Sequence, residues 1–172
     1  MAQDPTQGIL PCPMSYWKQF KPKSCSVDLK ASQKEGILTE IVNNMVKSGL
    51  LEDGLSESAL RTLVEREELA STGVGMTVAI PHVKLPGLTK VVCTLSVHKE
   101  GVEWTASDGE PVHILFTVLR PERAGDEHDP TQHLEMMSWI ARLSREEDFR
   151  RFAKVAKTKT ELVDLLKEMS AV

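Results

Sequence analysis

Two histidines in this chain stand where an imidazole could do chemistry. His82 follows Val78-Ala79-Ile80-Pro81, a short apolar run with β alternation that reaches a proline and then presents a single ring. A histidine placed at the end of a strand, where scaffold meets loop, is a candidate nucleophile; read alone, such a histidine is more often an ordinary surface residue. His133 lies just inside a helix announced by Asp129-Pro130-Thr131-Gln132, in the first turn. Unpaired amides and the positive end of the helix dipole favour an anion there. Such a helix start beside His82 would cradle phosphate, although His133 on its own could equally decorate an exposed helix end. Between Ser71 and Gly75 a Ser-Thr-Gly-Val-Gly turn precedes the strand. Thr72, Gly73 and Gly75 are expected to shape the loop beside the site, the glycines by letting backbone approach a ligand closely.

The elements that must position these residues follow from hydrophobic spacing. Ser32-Gln33-Lys34-Glu35 reads as a capping box, followed by Ile37, Leu38, Ile41, Val42, Met45 and Val46 at helical spacing and a stop at Gly49. Ser56 to Leu69 repeats the device, with Leu60, Leu63 and Val64 inward and Glu65, Glu67 and Glu68 outward. Pro81 lacks an N–H and is expected to end the strand before His82. Val91, Cys93, Leu95 and Val97 alternate with Val92, Thr94, Ser96 and His98, which predicts a strand with His98 on its solvated face. Gly101 to Trp104 and Ser107-Asp108-Gly109 read as a short separate strand and its turn. Val112 to Leu119 is almost continuously apolar, the mark of a strand in the middle of a sheet, with His113 a cross-strand surface partner at its start. Three helices are predicted after it, about Pro130 to Leu143, Arg145 to Ala156 and Lys159 to Met169, the last two opened by the capping boxes Ser144 to Glu147 and Thr158 to Glu161. The fold class expected is α/β, a single-domain sandwich with a mixed β-sheet flanked by helices on both sides. Residues 1–25, with Pro5, Pro11, Pro13 and Pro22, read as an N-terminal extension pinned by Tyr16, Trp17 and Phe20, ahead of a domain over 26–172.

Composition narrows the function. The chain has 172 residues, 41% hydrophobic and 27% charged, enough for one ordinary core without staples and too apolar for a wholly disordered chain. A net charge of −4 argues against bulk nucleic-acid binding. No apolar stretch approaches the ~20 residues that span a bilayer, and no secretory signal is visible. Cys12, Cys25 and Cys93 form no CxxC pair and leave an odd count, so a cytoplasmic location is expected, with Cys93 as core filler. His82, His128, His133 and Asp129 offer no metal spacing on one helix face, so no metal is expected.

Taken together, Glu65-Arg66-Glu67-Glu68, Ser71-Thr72-Gly73-Val74-Gly75, Val78-Ala79-Ile80-Pro81-His82 and His133-Leu134, in that order, resemble the enzyme IIA domains of the bacterial phosphotransferase system, in their fructose, mannitol and nitrogen-regulatory branch. The resemblance runs from about Ser26 to Met169. It implies a phosphocarrier without a cofactor: His82 takes a phosphoryl group from the histidine phosphocarrier protein HPr or a paralogue and passes it to a IIB acceptor. It also implies that His133 contacts the phosphoryl group and that Arg66 is the active-site arginine, a fork suited to phosphate oxygens. A stand-alone regulatory module, binding other proteins according to its phosphorylation state, is the second reading. The chain departs from the pattern in three places: Met76-Thr77 replaces a small pair before the strand, Val83 replaces a glycine after His82 and should crowd a partner, and Glu122 to Thr131 is long and acidic. That segment also carries His128, a rival for the second imidazole.

Overall fold

A computed structural model describes residues 13–125 and 128–170. Residues 1–12 of the expected extension, with Pro5, Pro11 and Cys12, and also Asp126 and Glu127, lie outside the described residues. The strands are β1 (Gly73–Gly75), β2 (Val78–Ala79), β3 (His82–Leu85), β4 (Val92–Val102) and β5 (Val112–Pro121). The helices are α1 (Lys34–Lys47), α2 (Ser56–Leu69), α3 (Pro130–Arg145), α4 (Glu147–Val155) and α5 (Lys159–Met169).

β5 is the axis of the sheet, as its unbroken apolar run predicts. β4 pairs with it antiparallel on one side, from Val92 against Leu119 to Val102 against Val112, and β2 and β3 pair with it parallel on the other. β2 and β3 are one strand with an interruption, because Val78 faces Ile114 and His82 faces Val118 with no change of register. Pro81 therefore does not end the ladder. It withholds one donor, but its carbonyl still accepts from Val118 N at 2.9 Å, so pairing resumes at the next residue. His82 begins a strand rather than leaving one. Gly101 to Trp104 is likewise no separate strand: β4 runs on to Val102 through an irregularity after Val97.

Helices cover both faces. α1 and α2 lie on one, where Ile37, Ile41, Met45 and Leu63 meet Val83, Leu85, Leu115 and Leu119. On the other, Met136, Trp139, Phe149 and Leu162 of α3, α4 and α5 meet Val78, Leu95, Phe116 and Val118. Residues on alternate positions of one strand thus enter different cores. Residues 13–25 are packed: a 3-10 turn at Pro13–Gln19 leads to Phe20, which is 1% exposed, and Tyr16 and Cys25 join the same core. Ser26 N then bonds Leu95 O and Leu29 N bonds Val97 O, covering the edge of β4 that would otherwise stay unpaired.

Local signals fared unevenly. Asp129 caps α3 through Thr131 N and Thr158 caps α5 through Glu161 N, as the sequence predicts. Ser32 and Ser144 do not cap; Gln33 and Glu146 stand at those positions without a side-chain bond, and Ser144 Oγ donates to Ile140 O instead. His98 is buried, not solvated, with Nε2 2.9 Å from Ala31 O. Glu67 is also buried, contrary to its place on an outward face, for the reason given next.

Candidate active site

His82 is held by a relay that starts on α2. The Glu67 carboxylate, 6% exposed, accepts from Thr72 N at 2.9 Å and Thr72 Oγ1 at 2.5 Å, and from Lys34 Nζ at 3.1 Å. Burying a carboxylate is costly unless its oxygens are filled, and these three donors fill them. Trp104 Nε1 donates to the same Thr72 hydroxyl at 3.2 Å. Thr72, so fixed, accepts Ile80 N on its carbonyl at 3.0 Å, and Ile80 O in turn lies 2.7 Å from His82 Nδ1. A carbonyl can only accept, so Nδ1 carries the hydrogen and the neutral ring keeps a bare lone pair on Nε2. No hydrogen bond engages Nε2 among the described residues. The ring is half-buried.

Val83 and Leu85 enter the core under α1 and α2, so His82 faces the layer of α3. There His133, 6% exposed in the first turn of α3, sits edge-to-face with His128, 5% exposed, their ring centroids 5.9 Å apart. Neither Nδ1 has a hydrogen-bond partner among the described residues. Burial pushes the His133 ring down to about 4, and the charges of Arg120, His128 and His82 add to the fall. His133 is thus neutral at physiological pH and electrostatically coupled to His82. His128 and His133 line a cavity of about 130 Å³, with Lys90 and Asp129 at its walls. The helix amides contribute less than their position suggests: the Asp129 carboxylate occupies Thr131 N at 2.8 Å, and Pro130 has no N–H. Side chains must carry most of any anion binding here. Among the described residues no group of three or more potential metal ligands converges, and no helix is long and apolar enough to cross a membrane.

Residues 18–169 match the family model of the phosphoenolpyruvate-dependent sugar phosphotransferase system, EIIA 2. The chain belongs to this EIIA family. It is 31% identical to the PTS system fructose-specific EIIA component of Haloferax volcanii over 84% of this chain and 89% of that protein. To a nitrogen regulatory protein of Bradyrhizobium diazoefficiens it is 34% identical over 74% of this chain and 78% of that one. The crystal structure of nitrogen regulatory protein IIA-Ntr from Neisseria meningitidis superimposes with a TM-score of 0.76 at 25% identity, over 87% of this chain and 97% of the other. The complex of enzyme IIA and phosphorylated enzyme IIB for mannitol from Escherichia coli shares the fold, with a TM-score of 0.65 at 17% identity, over 87% and 99%.

Within this EIIA chain the expected residues divide into two groups. His82 and His133 are on the same side of the sheet and within electrostatic reach. Arg66 is on the last turn of α2, on the other side; α2 packs against β3, and Arg66 Nη1 donates to Ala70 O at 2.7 Å, satisfying the end of its own helix. Thr72 has both its hydroxyl and its amide committed to Glu67, so it positions rather than binds. Gly73 is required by packing, since a Cβ there would stand 2.7 Å from Ala106 Cβ and 2.9 Å from Ala106 Cα. Gly75, at φ 89°, opens a tight turn whose two residues Met76 and Thr77 are also left-handed, at φ 54° and 68°, steadied by Met76 N donating to Asp108 Oδ2 at 2.8 Å. Val83 points away from the site and crowds nothing on the His82 face. Sequence reasoning missed Arg120. The signal available was a lone charge at the end of the most apolar strand in the chain.

Proposed function

We propose that the chain is a phosphocarrier, taking a phosphoryl group on His82 Nε2 from an HPr-type donor and handing it to a IIB acceptor. The observation that carries this is the Nδ1 bond to Ile80 O, which dedicates the other nitrogen to attack. In the transfer, the Nε2 lone pair forms the new N–P bond as the donor's N–P bond breaks, and the donor ring nitrogen leaves with that electron pair. His82 keeps its Nδ1 proton throughout. The positive charge the ring acquires is then opposed by the Ile80 carbonyl dipole. His133, neutral and unpaired at Nδ1 among the described residues, is free to orient the phosphoryl group; a role for Arg66, which the resemblance implies, requires it to release the Ala70 carbonyl and turn past the edge of the sheet. Donor and acceptor of this kind place the work in the cytoplasm.

The test is incubation with phosphoenolpyruvate, enzyme I and HPr, followed by mass mapping. An acid-labile phosphate on His82, absent in His82→Ala and slowed in His133→Ala, is the expected result; label on another residue, or none, refutes the reading. The nitrogen regulatory relatives favour a second role for the same site, control of other proteins by phosphorylation-dependent binding. It predicts a partner whose affinity differs between the phosphorylated chain and His82→Ala.

A further inference from the structure

We propose that Arg120 binds the phosphoryl group on His82, gripping it from the floor of the sheet. This rests on the phosphocarrier reading. β3 and β5 run parallel with His82 opposite Val118 and Lys84 opposite Arg120, so Arg120 lies one diagonal step from His82. Such a diagonal leaves about 7–8 Å between side-chain origins, within reach of a long side chain. The face agrees as well. Val118 is in the core beneath α3, and strand alternation puts Arg120 on Val118's side, as it puts His82 opposite the side of Val83 and Leu85.

Arg120 is also unemployed. It is half-buried, yet no hydrogen bond or ion pair engages its guanidinium among the described residues, whereas Lys34 and Arg66 both have partners. Its positive charge acts on His133, which places it beside the second imidazole as well as the first. Two more polar atoms at this point lack partners among the described residues, Nδ1 of His128 and of His133, on side chains more than nine-tenths buried. A planar cation with free donors, two unsatisfied imidazoles and a bare nucleophile on one face fit a dianionic tetrahedral group. The helix start supplies little of this, because Asp129 already fills its first free amide. Arg120 holds phosphoryl oxygens while the N–P bond to His82 forms, and it gives up no proton.

The experiment uses the full chain and a small N–P donor, phosphoramidate, so that no protein partner enters the rate. Label on His82 is followed by intact mass and site mapping in the wild type, His82→Ala, Arg120→Gln and Arg120→Lys, with thermal melts to confirm folding. Arg120→Gln is expected to label about a hundredfold more slowly, the loss seen when one preorganised donor is removed from a developing anion. Arg120→Lys, which keeps the charge and loses the fork, recovers part of it. Followed by NMR, the His133 ring in Arg120→Gln titrates at higher pH than in the wild type. Wild type labelled on His82 with Arg120→Gln labelled as fast overturns the inference alone; an unmoved His133 titration also overturns it. Wild type that takes no label on His82 overturns the phosphocarrier reading and Arg120's role with it.

Discussion

Replacing Glu67 with alanine should damage both the fold and the site, and the size of the effect follows from what the carboxylate holds. Its removal strands Thr72 N and the Thr72 hydroxyl, both buried, and deprives Lys34 of its ion-pair partner. A stranded buried donor costs about 1–3 kcal/mol. The Lys34 side chain is 28% exposed and can rehydrate, so its share is small. The expected loss is about 3 kcal/mol, which lies within the range for breaking one partner of a buried ionic contact. For a chain of this length that lowers Tm by about 6–12 °C. Urea denaturation followed by circular dichroism measures it, with Glu68→Ala as the exposed neighbour expected to change stability by no more than about 0.5 kcal/mol. Glu67→Gln, which keeps an acceptor for one Thr72 donor, should fall between. The relay from Thr72 O to Ile80 N and from Ile80 O to His82 Nδ1 adds a functional consequence. Well below its Tm, folded Glu67→Ala should still label His82 more slowly than wild type, because the tautomer is less firmly set. If Glu67→Ala melts with Glu68→Ala, the buried network does not hold the site and the reasoning is refuted.

Protonation of His133 offers a second check. Its folded pKa of about 4 lies below the ordinary 6.5, so the unfolded chain binds the proton more readily. The His133 contribution to stability is therefore complete above pH 6.5 and is lost as pH falls toward 4. The difference in stability between wild type and His133→Asn should narrow across that window, and a ring titrating near 6.5 by NMR contradicts it. Gly73→Ala forces a Cβ against Ala106 and should cost about 1–3 kcal/mol in urea titrations; a neutral effect would show that the hairpin moves freely. Met76→Asn with Thr77→Gly suits two left-handed positions and should stabilise by about 0.5–1 kcal/mol, the relief of the strained Thr77 less the glycine entropy. Lower stability in that double variant would mean that the Met76 and Thr77 side chains contribute contacts worth more than the strain.

Much of this was legible in advance because it depends on periodicity. The apolar run of β5 marked the centre of the sheet, the spacing of Ile37 to Met45 and the caps at Asp129 and Thr158 marked helices, and the strand-Pro-His sequence marked the candidate nucleophile. What stayed hidden depends on partners distant in sequence. Glu67 reads as an outward acid by helical spacing, and only the return of Thr72 and the approach of Lys34 make burial tolerable. His98 alternates onto a face that α1 happens to cover. Ser32 was a fair cap by local pattern, but Glu40 reaches back to take the Lys30 and Ala31 amides, and the helix starts without it. Pro81 removes a donor that the continuing register of β5 does not miss. Arg120 was invisible for the same reason: a charge at the end of a strand acquires meaning only once the neighbouring strand is known to be parallel and in register with His82.

That register explains why one strand can serve both chemistry and stability. β5 pairs with β4 along nearly its whole length, so its position is set by the strongest ladder in the molecule. β3 inherits that position through four residue pairs, and His82 stands in the first of them. The imidazole of His82 and the guanidinium of Arg120 are thus referenced to a single rigid backbone, while His133 hangs from the helix that β5 leads into. A site built this way needs no loop closure to align its groups, which suits the proposed carrier, whose ring would meet two partners in turn. Its weak point lies on the other face. The His82 tautomer with a bare Nε2 depends on Ile80, Ile80 on Thr72, and Thr72 on a carboxylate of α2. A helix on one side of the sheet therefore sets the reactivity of a ring on the other, and this is why a stability variant there, unlike one of equal cost in α5, is expected to change the rate of phosphoryl transfer.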